Sequence, residues 1–267
     1  MAKTRNVFFA LAIISTVVMI SNGCAEKDPA PKSTVYDLKA EDVLGVTGTV
    51  TFTETSATLA TIDIALFGAP SGTHPAELRM NSAVEDGDVV VQLNPIDETG
   101  KSSTVVTAKT YAQLISYDGF IKIHKSNFEP NVILARGDIG GNLITSTNKT
   151  YQLAAIGTYG VSGNALFEKR LNGNTLVTIS LIGTISGDTY PASINLGNIA
   201  SIGGGPVVKT LNHVDGASGK SYTNIRALNS GIAISYNNWL MYDGYINIQQ
   251  TSVNSDHIIC HGNIGTN

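Results

Sequence analysis

The sequence predicts an all-β protein in which one antiparallel sandwich or barrel is built twice. Three observations carry this. Threonine, serine, glycine, valine and isoleucine are abundant, a composition that favours strands and turns over helices. Short segments alternate polar and apolar residues with period two, the mark of a strand with one face on a core and one in water. Finally, Tyr117-Asp118-Gly119-Phe120-Ile121-Lys122-Ile123-His124, followed by Gly137-Asp138-Ile139-Gly140-Gly141-Asn142, returns as Tyr242-Asp243-Gly244-Tyr245-Ile246-Asn247-Ile248-Gln249 and Gly262-Asn263-Ile264-Gly265-Thr266-Asn267. Both parts repeat at one constant offset, so the chain holds two copies of one folding unit.

The chain opens on basic Met1-Ala2-Lys3-Thr4-Arg5, continues apolar from Val7 to Ile20, and reaches Ser21-Asn22-Gly23-Cys24. A basic start, a short apolar run and small residues make a secretory signal, residues 1–23. The run of about 14 residues is short of the roughly 20 that span a bilayer. Gly23-Cys24 resembles the bacterial lipobox, which implies acylation of Cys24, membrane attachment through that lipid and a cell-envelope address, at the outer membrane and facing the periplasm or the surface. Residues 24–34 are charged and proline-rich and read as a tether. The only other cysteine is Cys260, so with Cys24 acylated the fold rests on its hydrophobic core rather than on a disulfide. A net charge of −4, with 14% charged residues and no basic patch, argues against a nucleic-acid partner.

The first domain is expected over residues 35–143. Its strands are Thr47 to Thr53, Thr61 to Leu66 and Asp88 to Leu93, with Phe120 to His124 and Asn131 to Arg136 as a closing pair. Glycine-rich turns separate them at Gly68 to Gly72, Asp86-Gly87 and Asp97 to Gly100. Thr110 to Ile115 is the one helical candidate. Leu143 to Thr150, rich in threonine, serine and asparagine, reads as the join. The second domain, 150–267, repeats the scheme: Val161-Ser162-Gly163 answers Val46-Thr47-Gly48, Val177 to Gly183 answers Ile62 to Gly68, and Pro191-Ala192 answers Pro75-Ala76. Its insertions fall around Gly203-Gly204-Gly205 and Gly231.

With its strand pattern, His74-Pro75-Ala76 and the Tyr-Asp-Gly-aromatic-Ile-x-Ile-His strand, each unit resembles a CHRD (chordin-type) domain. The resemblance implies two tandem antiparallel Greek-key-like β-sandwich domains, similar to the copper/zinc superoxide dismutase fold. Typical members carry a His-x-His pair after the proline-alanine step and a late histidine. Here Glu77 and Arg79 stand at the pair in copy one, and Ser193 and Asn195 in copy two; His124 keeps the late histidine, and Gln249 replaces it. His74, Glu77, Arg79 and His124 are thus degenerate family-motif positions, and neither a metal nor a cofactor is expected. The alternative is a metal-dependent redox enzyme of superoxide dismutase type.

Other strings read as structure. His257 and His261 would chelate together on a helix, but four residues of strand span roughly 13 Å against metal–nitrogen bonds of about 2 Å, and Cys260 points to the opposite face. Gly100-Lys101-Ser102 and Gly219-Lys220-Ser221 lack the earlier glycine of a phosphate loop and read as hairpin turns. Glu85-Asp86-Gly87-Asp88 reads as an acidic turn rather than a calcium site, since copy two lacks the acids. Asp118-Gly119 and Asp243-Gly244 read as structural turns, with the aspartate bonding its own backbone and the glycine supplying positive φ. No catalytic constellation repeats. The expected function is a lipid-anchored binding or structural module, without catalysis, for an envelope or extracellular protein or glycan.

Overall fold

The computed structural model describes residues 30–200, 204–250 and 257–267. The signal segment, Cys24 and the tether as far as residue 29 lie outside the described residues.

Copy one runs β1 (Ser33–Ala40), β2 (Thr47–Glu54), β3 (Ala60–Phe67), β4 (Ala76–Met80), β5 (Val89–Gln92), β6 (Lys101–Val106), α1 (Tyr111–Ile115), β7 (Asp118–His124) and β8 (Ile133–Gly140). Copy two repeats that order as β9 (Ile144–Ala155), β10 (Ser162–Arg170), β11 (Thr175–Ile182), β12 (Thr189–Leu196), β13 (Val207–Asp215), β14 (Lys220–Ile225), α2 (Tyr236–Leu240), β15 (Asp243–Gln249) and β16 (Ile258–Gly265). The alternation predicts the inward faces well: Val50 and Phe52 on β2, and Ile62, Ile64 and Leu66 on β3, are buried, while the residues between them face outward. Burying each such side chain contributes about 1.5–3 kcal/mol. An edge-to-face aromatic pair recurs at matching positions, Tyr36–Phe52 at 5.3 Å and Tyr151–Phe167 at 5.2 Å. Each single-turn helix starts from a capping box, Thr110 with Gln113 and Ser235 with Asn238, which occupies orphan N–H groups at its start. Leu114 of α1 and Trp239 of α2 plug the ends of their cores.

All pairings are antiparallel. Copy two closes into a barrel, β10-β11-β14-β13-β12-β15-β16-β9. Copy one has the same cyclic order but is open between β5 and β6. Three hairpin-connected strands with a fourth returning beside the first make a Greek key; copy two satisfies this with β12, β13 and β14 paired in succession and β15 beside β12, and copy one follows the same order without the β5–β6 pairing. Side chains lace the open seam: Asn94 N–H donates to Thr104 Oγ1 and its Nδ2 to the Ser103 carbonyl. Asn212 makes the same bonds to Thr223 and Tyr222 in copy two, where Asp215 pairs with Lys220.

Copy two has a second helix, α2, where the sequence offered only Thr110 to Ile115 as a helical candidate, and two further stretches differ from the sequence expectation. Ser33 and Thr34, assigned to the tether, are strand, paired with Thr53 and Phe52. Ile144 to Thr150, assigned to the join, is the outer part of β9, with Asn148 opposite Glu168 and Thr150 opposite Leu166. Both stretches are polar and exposed, so composition alone reads as loop; the partner strands beside them supply the backbone hydrogen bonds. Pro31–Asn267 accordingly forms one compact unit.

Candidate functional site

Three of the four degenerate family-motif positions, Glu77, Arg79 and His124, converge on the outer face of β4 and β7. Alternation sends Ala76 and Leu78 inward and Glu77 and Arg79 outward, and register sets Glu77 beside Lys122, which faces Arg136. The face is knitted by charge. His124 Nε2 lies 3.1 Å from Glu77 Oε2, and Arg79 Nη1 lies 3.1 Å from Asp86 Oδ1. Lys122 Nζ donates to Asp86 Oδ2 at 2.6 Å. Burial alone would raise the Asp86 carboxyl, but the Lys122 ammonium, the Gly87 N–H and Arg79 outweigh it and hold the group below its ordinary range. Asp86 therefore pins the β4–β5 connection down over the face, and a second carboxylate of that acidic turn is also engaged, Glu85 taking the Ser82 hydroxyl and the Asn224 N–H.

His74 lies apart from this cluster. It is buried, with Nδ1 2.6 Å from the Lys125 carbonyl oxygen and Nε2 3.0 Å from that of Pro70. His124 is engaged on both nitrogens too, since its Nδ1 lies 2.6 Å from the Pro130 carbonyl oxygen. A redox metal takes imidazole through a free lone pair with a coordination position left open. These two rings face backbone and carboxylate oxygens instead, with the Arg79 cation close by, so the residues present do not fit a superoxide dismutase-type centre. Among the described residues no group of three or more histidine, cysteine, aspartate or glutamate side chains is placed to hold a metal ion.

The Tyr-Asp-Gly corner is corrected in two respects. Asp118 and Gly119 are not a turn; they begin β7, opposite Gly140 and Ile139, and Asp243 and Gly244 begin β15 in the same way. Positive φ falls instead on their partners across the ladder, Gly140 at 56° and Gly265 at 70°. Gly119 and Gly244 are glycine because the preceding tyrosine ring lies on them: a Cβ would sit 2.5 Å from Tyr117 Cδ1 and 2.8 Å from Tyr242 Cδ1. Nor does Asp118 bond its own backbone. It accepts from the side-chain amides of Asn172 and Asn174, in the β10–β11 hairpin of copy two. Burial pushes its carboxyl up, against the opposing pull of Arg170, Arg226 and those amides.

Asp118 belongs to a larger seam between the copies. Arg170 is wholly buried, and its Nη1 donates to Asp138 Oδ2 at 3.0 Å and to the Asn142 carbonyl. Asn224 Nδ2 reaches Asn142 Oδ1 at 3.1 Å. Asn142 in turn donates to the Asn81 and Gly119 carbonyls, and Asn267 makes the equivalent bonds to Gly197 and Gly244. Asp138, Asn142 and Arg170 were not singled out from sequence. The first two sit inside the repeated Gly137-to-Asn142 motif, whose repetition was the available signal; Arg170 has no counterpart elsewhere to flag it.

In copy two the matching outer face is neutral, with Ser193, Asn195, Tyr245 and Asn247 all nearly buried. Asn263 clamps the β12–β13 connection by accepting from Ile199 N–H, as Asp138 clamps Ala83. Cys260 faces the core, where burial pushes its thiol up to about 11. His261 points outward, and a register shift beyond Cys260 brings His257 to the same surface cleft. Gly100 and Gly219 turn their hairpins at positive φ, with Asp97 and Asp215 bonding the turn N–H groups, so neither lysine belongs to a phosphate loop. Comparison of the chain with family models, curated proteins and solved structures returns no match.

Proposed function

We propose that the chain is a lipid-anchored cell-envelope protein of CHRD type, whose two domains act together as a binding or structural module without catalysis. The observation that carries this is the seam of Asp118, Asp138 and Asn142 with Arg170, Asn172 and Asn174, which joins the copies through polar bonds, of which that from Arg170 to the Asn142 carbonyl is buried. Such a seam favours a fixed double domain that presents surfaces over one that closes around a substrate. The outer faces support the same reading, because the family's histidine positions are taken by ion pairs in copy one and by neutral side chains in copy two.

Attachment rests on the signal sequence and on Gly23-Cys24, outside the described residues. One acyl chain gives marginal membrane binding and two or more give stable anchoring. The partner is an envelope or extracellular protein or a glycan, not nucleic acid, given the net charge of −4. Fractionation tests the anchor: the wild type is expected with membranes and Cys24→Ser in the soluble fraction. Retention of the variant after a salt wash refutes the lipid anchor. Elemental analysis of the purified protein tests the function class, and about one tightly held transition metal per domain would restore the redox enzyme.

A further inference from the structure

The two copies diverge most sharply at one patch of the outer face. In copy one, Lys122 is bound to Asp86, and Arg136 to Glu41 and the Ala83 carbonyl. Asn247 and His261 take the equivalent places in copy two, directly opposite each other across β15 and β16. Charges that fill the patch in one copy are replaced by neutral hydrogen-bonding groups in the other.

Asn247 and His261 line a cleft of about 460 Å³, within the roughly 300–1,000 Å³ of small-ligand sites. Asn247 is 94% buried by its 6% exposure, and its Oδ1 has no hydrogen-bond partner. Beside it Tyr245 is fixed, its phenolic oxygen accepting from Gly205 N–H at 2.8 Å. Burial lowers the His261 pKa from its ordinary value, so the ring is neutral at pH 7 and offers one donor and one acceptor. The walls are apolar: Ile199 comes from the β12–β13 connection, Ile258 from β16, and Tyr159, 43% exposed, from the β9–β10 connection. Among the described residues, no lysine, arginine, aspartate or glutamate lines the cleft.

We propose that this cleft binds a neutral, hydroxyl-rich ligand, a sugar ring of a glycan, with its hydroxyls on Asn247 and His261 and an apolar face on Tyr159. The described lining carries no lysine, arginine, aspartate or glutamate, which disfavours phosphates and ammonium groups, since it leaves their charge uncompensated. A hydroxyl both donates and accepts, so it answers the buried amide in either orientation of its oxygen and nitrogen. Aromatic plates suit ligands with one apolar face and a polar edge. This deepens the binding-module proposal and rests on it, naming one of its partner classes.

Saturation-transfer NMR on the detergent-solubilised full chain tests it, with the methyl glycosides of glucose, galactose and mannose and with N-acetylglucosamine as probes. Signal on ring protons of at least one sugar is expected, with affinity lost about tenfold or more in Asn247→Leu and similarly in Tyr159→Ala. Tyr159 is exposed, so its variant tests the site even where Asn247→Leu fails to fold. Lys122→Ala, in copy one, is expected to leave binding unchanged. Absence of saturation transfer from every probe, or affinity unchanged in Tyr159→Ala, overturns the proposal. Such a result with membrane fractionation and metal analysis as expected removes only the glycan site and leaves the module.

Discussion

Breaking the Arg170–Asp138 pair is expected to destabilise copy two from a mutation made in copy one. Arg170 Nη1 makes two hydrogen bonds, each worth about 1.5–3 kcal/mol because the donor is charged. Its Nε and Nη2 are buried without partners, at a cost of about 1–3 kcal/mol each. These nearly cancel, so the net worth of the arginine is small, but removing one partner is not. Uncompensated buried charge costs about 3–5 kcal/mol. Asp138 keeps Ala83 N–H at 2.7 Å on its other oxygen and is slightly exposed, which places Arg170→Met near the low end, about 3 kcal/mol. Asp138→Asn is expected to cost a similar amount by leaving the guanidinium with a neutral acceptor. The double variant is expected to lose about 3 kcal/mol rather than the sum of the two, a coupling of about 3 kcal/mol at the top of the range for contacting residues. Trp239 is the chain's single tryptophan and lies buried in copy two, so urea unfolding followed by its fluorescence reports that copy alone. With m of about 3 kcal/mol/M, Asp138→Asn lowers the Trp239 midpoint by about 1 M. A midpoint unchanged in Asp138→Asn but lowered in Arg170→Met would show that Arg170 acts within copy two only, and the seam would lose its standing.

Asp86→Asn is expected to cost less than about 1 kcal/mol at neutral pH, because the carboxylate is about half exposed. The folded pKa is lowered, so the wild type's advantage is present above the ordinary carboxylate value, about 3.9, and is lost as pH falls through the lowered folded value; urea midpoints across pH check this, and a gap that widens in acid refutes it. Cys260, with its thiol pushed up to about 11 and no exposed surface, is expected to resist iodoacetamide at pH 7.5 in the native protein and react after unfolding, as peptide mass mapping will read out. Gly119→Ala is expected to destabilise by about 1–3 kcal/mol through the clash with Tyr117 and the Arg79 carbonyl. Gly157→Ala, where a Cβ meets nothing within 4 Å, is expected to lose only about 1 kcal/mol from its positive φ; equal losses by denaturant melts would refute the packing account.

Local signals sufficed where a residue's role is set by its near neighbours. Period-two alternation placed β2 and β3, because facing water or core is decided residue by residue along a strand. Thr110 to Ile115, the helical candidate, contains α1, and its capping box of Thr110 and Gln113 is a contact within one turn. Repetition of the Tyr-Asp-Gly strand announced two copies, and Cys260, set by strand phase on the face opposite His261, is buried. Tertiary structure alone decided what those motifs touch. Asp118 carries the same local sequence as Asp243, yet one binds the asparagines of the other copy and the other bonds Asn267. Gly119 looks like a turn glycine until the Tyr117 ring is seen lying on it. Ile144 to Thr150 reads as a linker because strand pairing comes from a partner far along the chain, and nothing in the seven residues records it. The candidate site shows the same division: the sequence put Ser193, Asn195 and Gln249 where the resemblance leads one to expect histidines, but only the packing of β12, β15 and β16 buried Asn247 beside a cleft, with its carbonyl oxygen unpaired among the described residues. A side chain's chemistry is written locally, whereas its partners are set by contacts between strands that meet only when the ring closes.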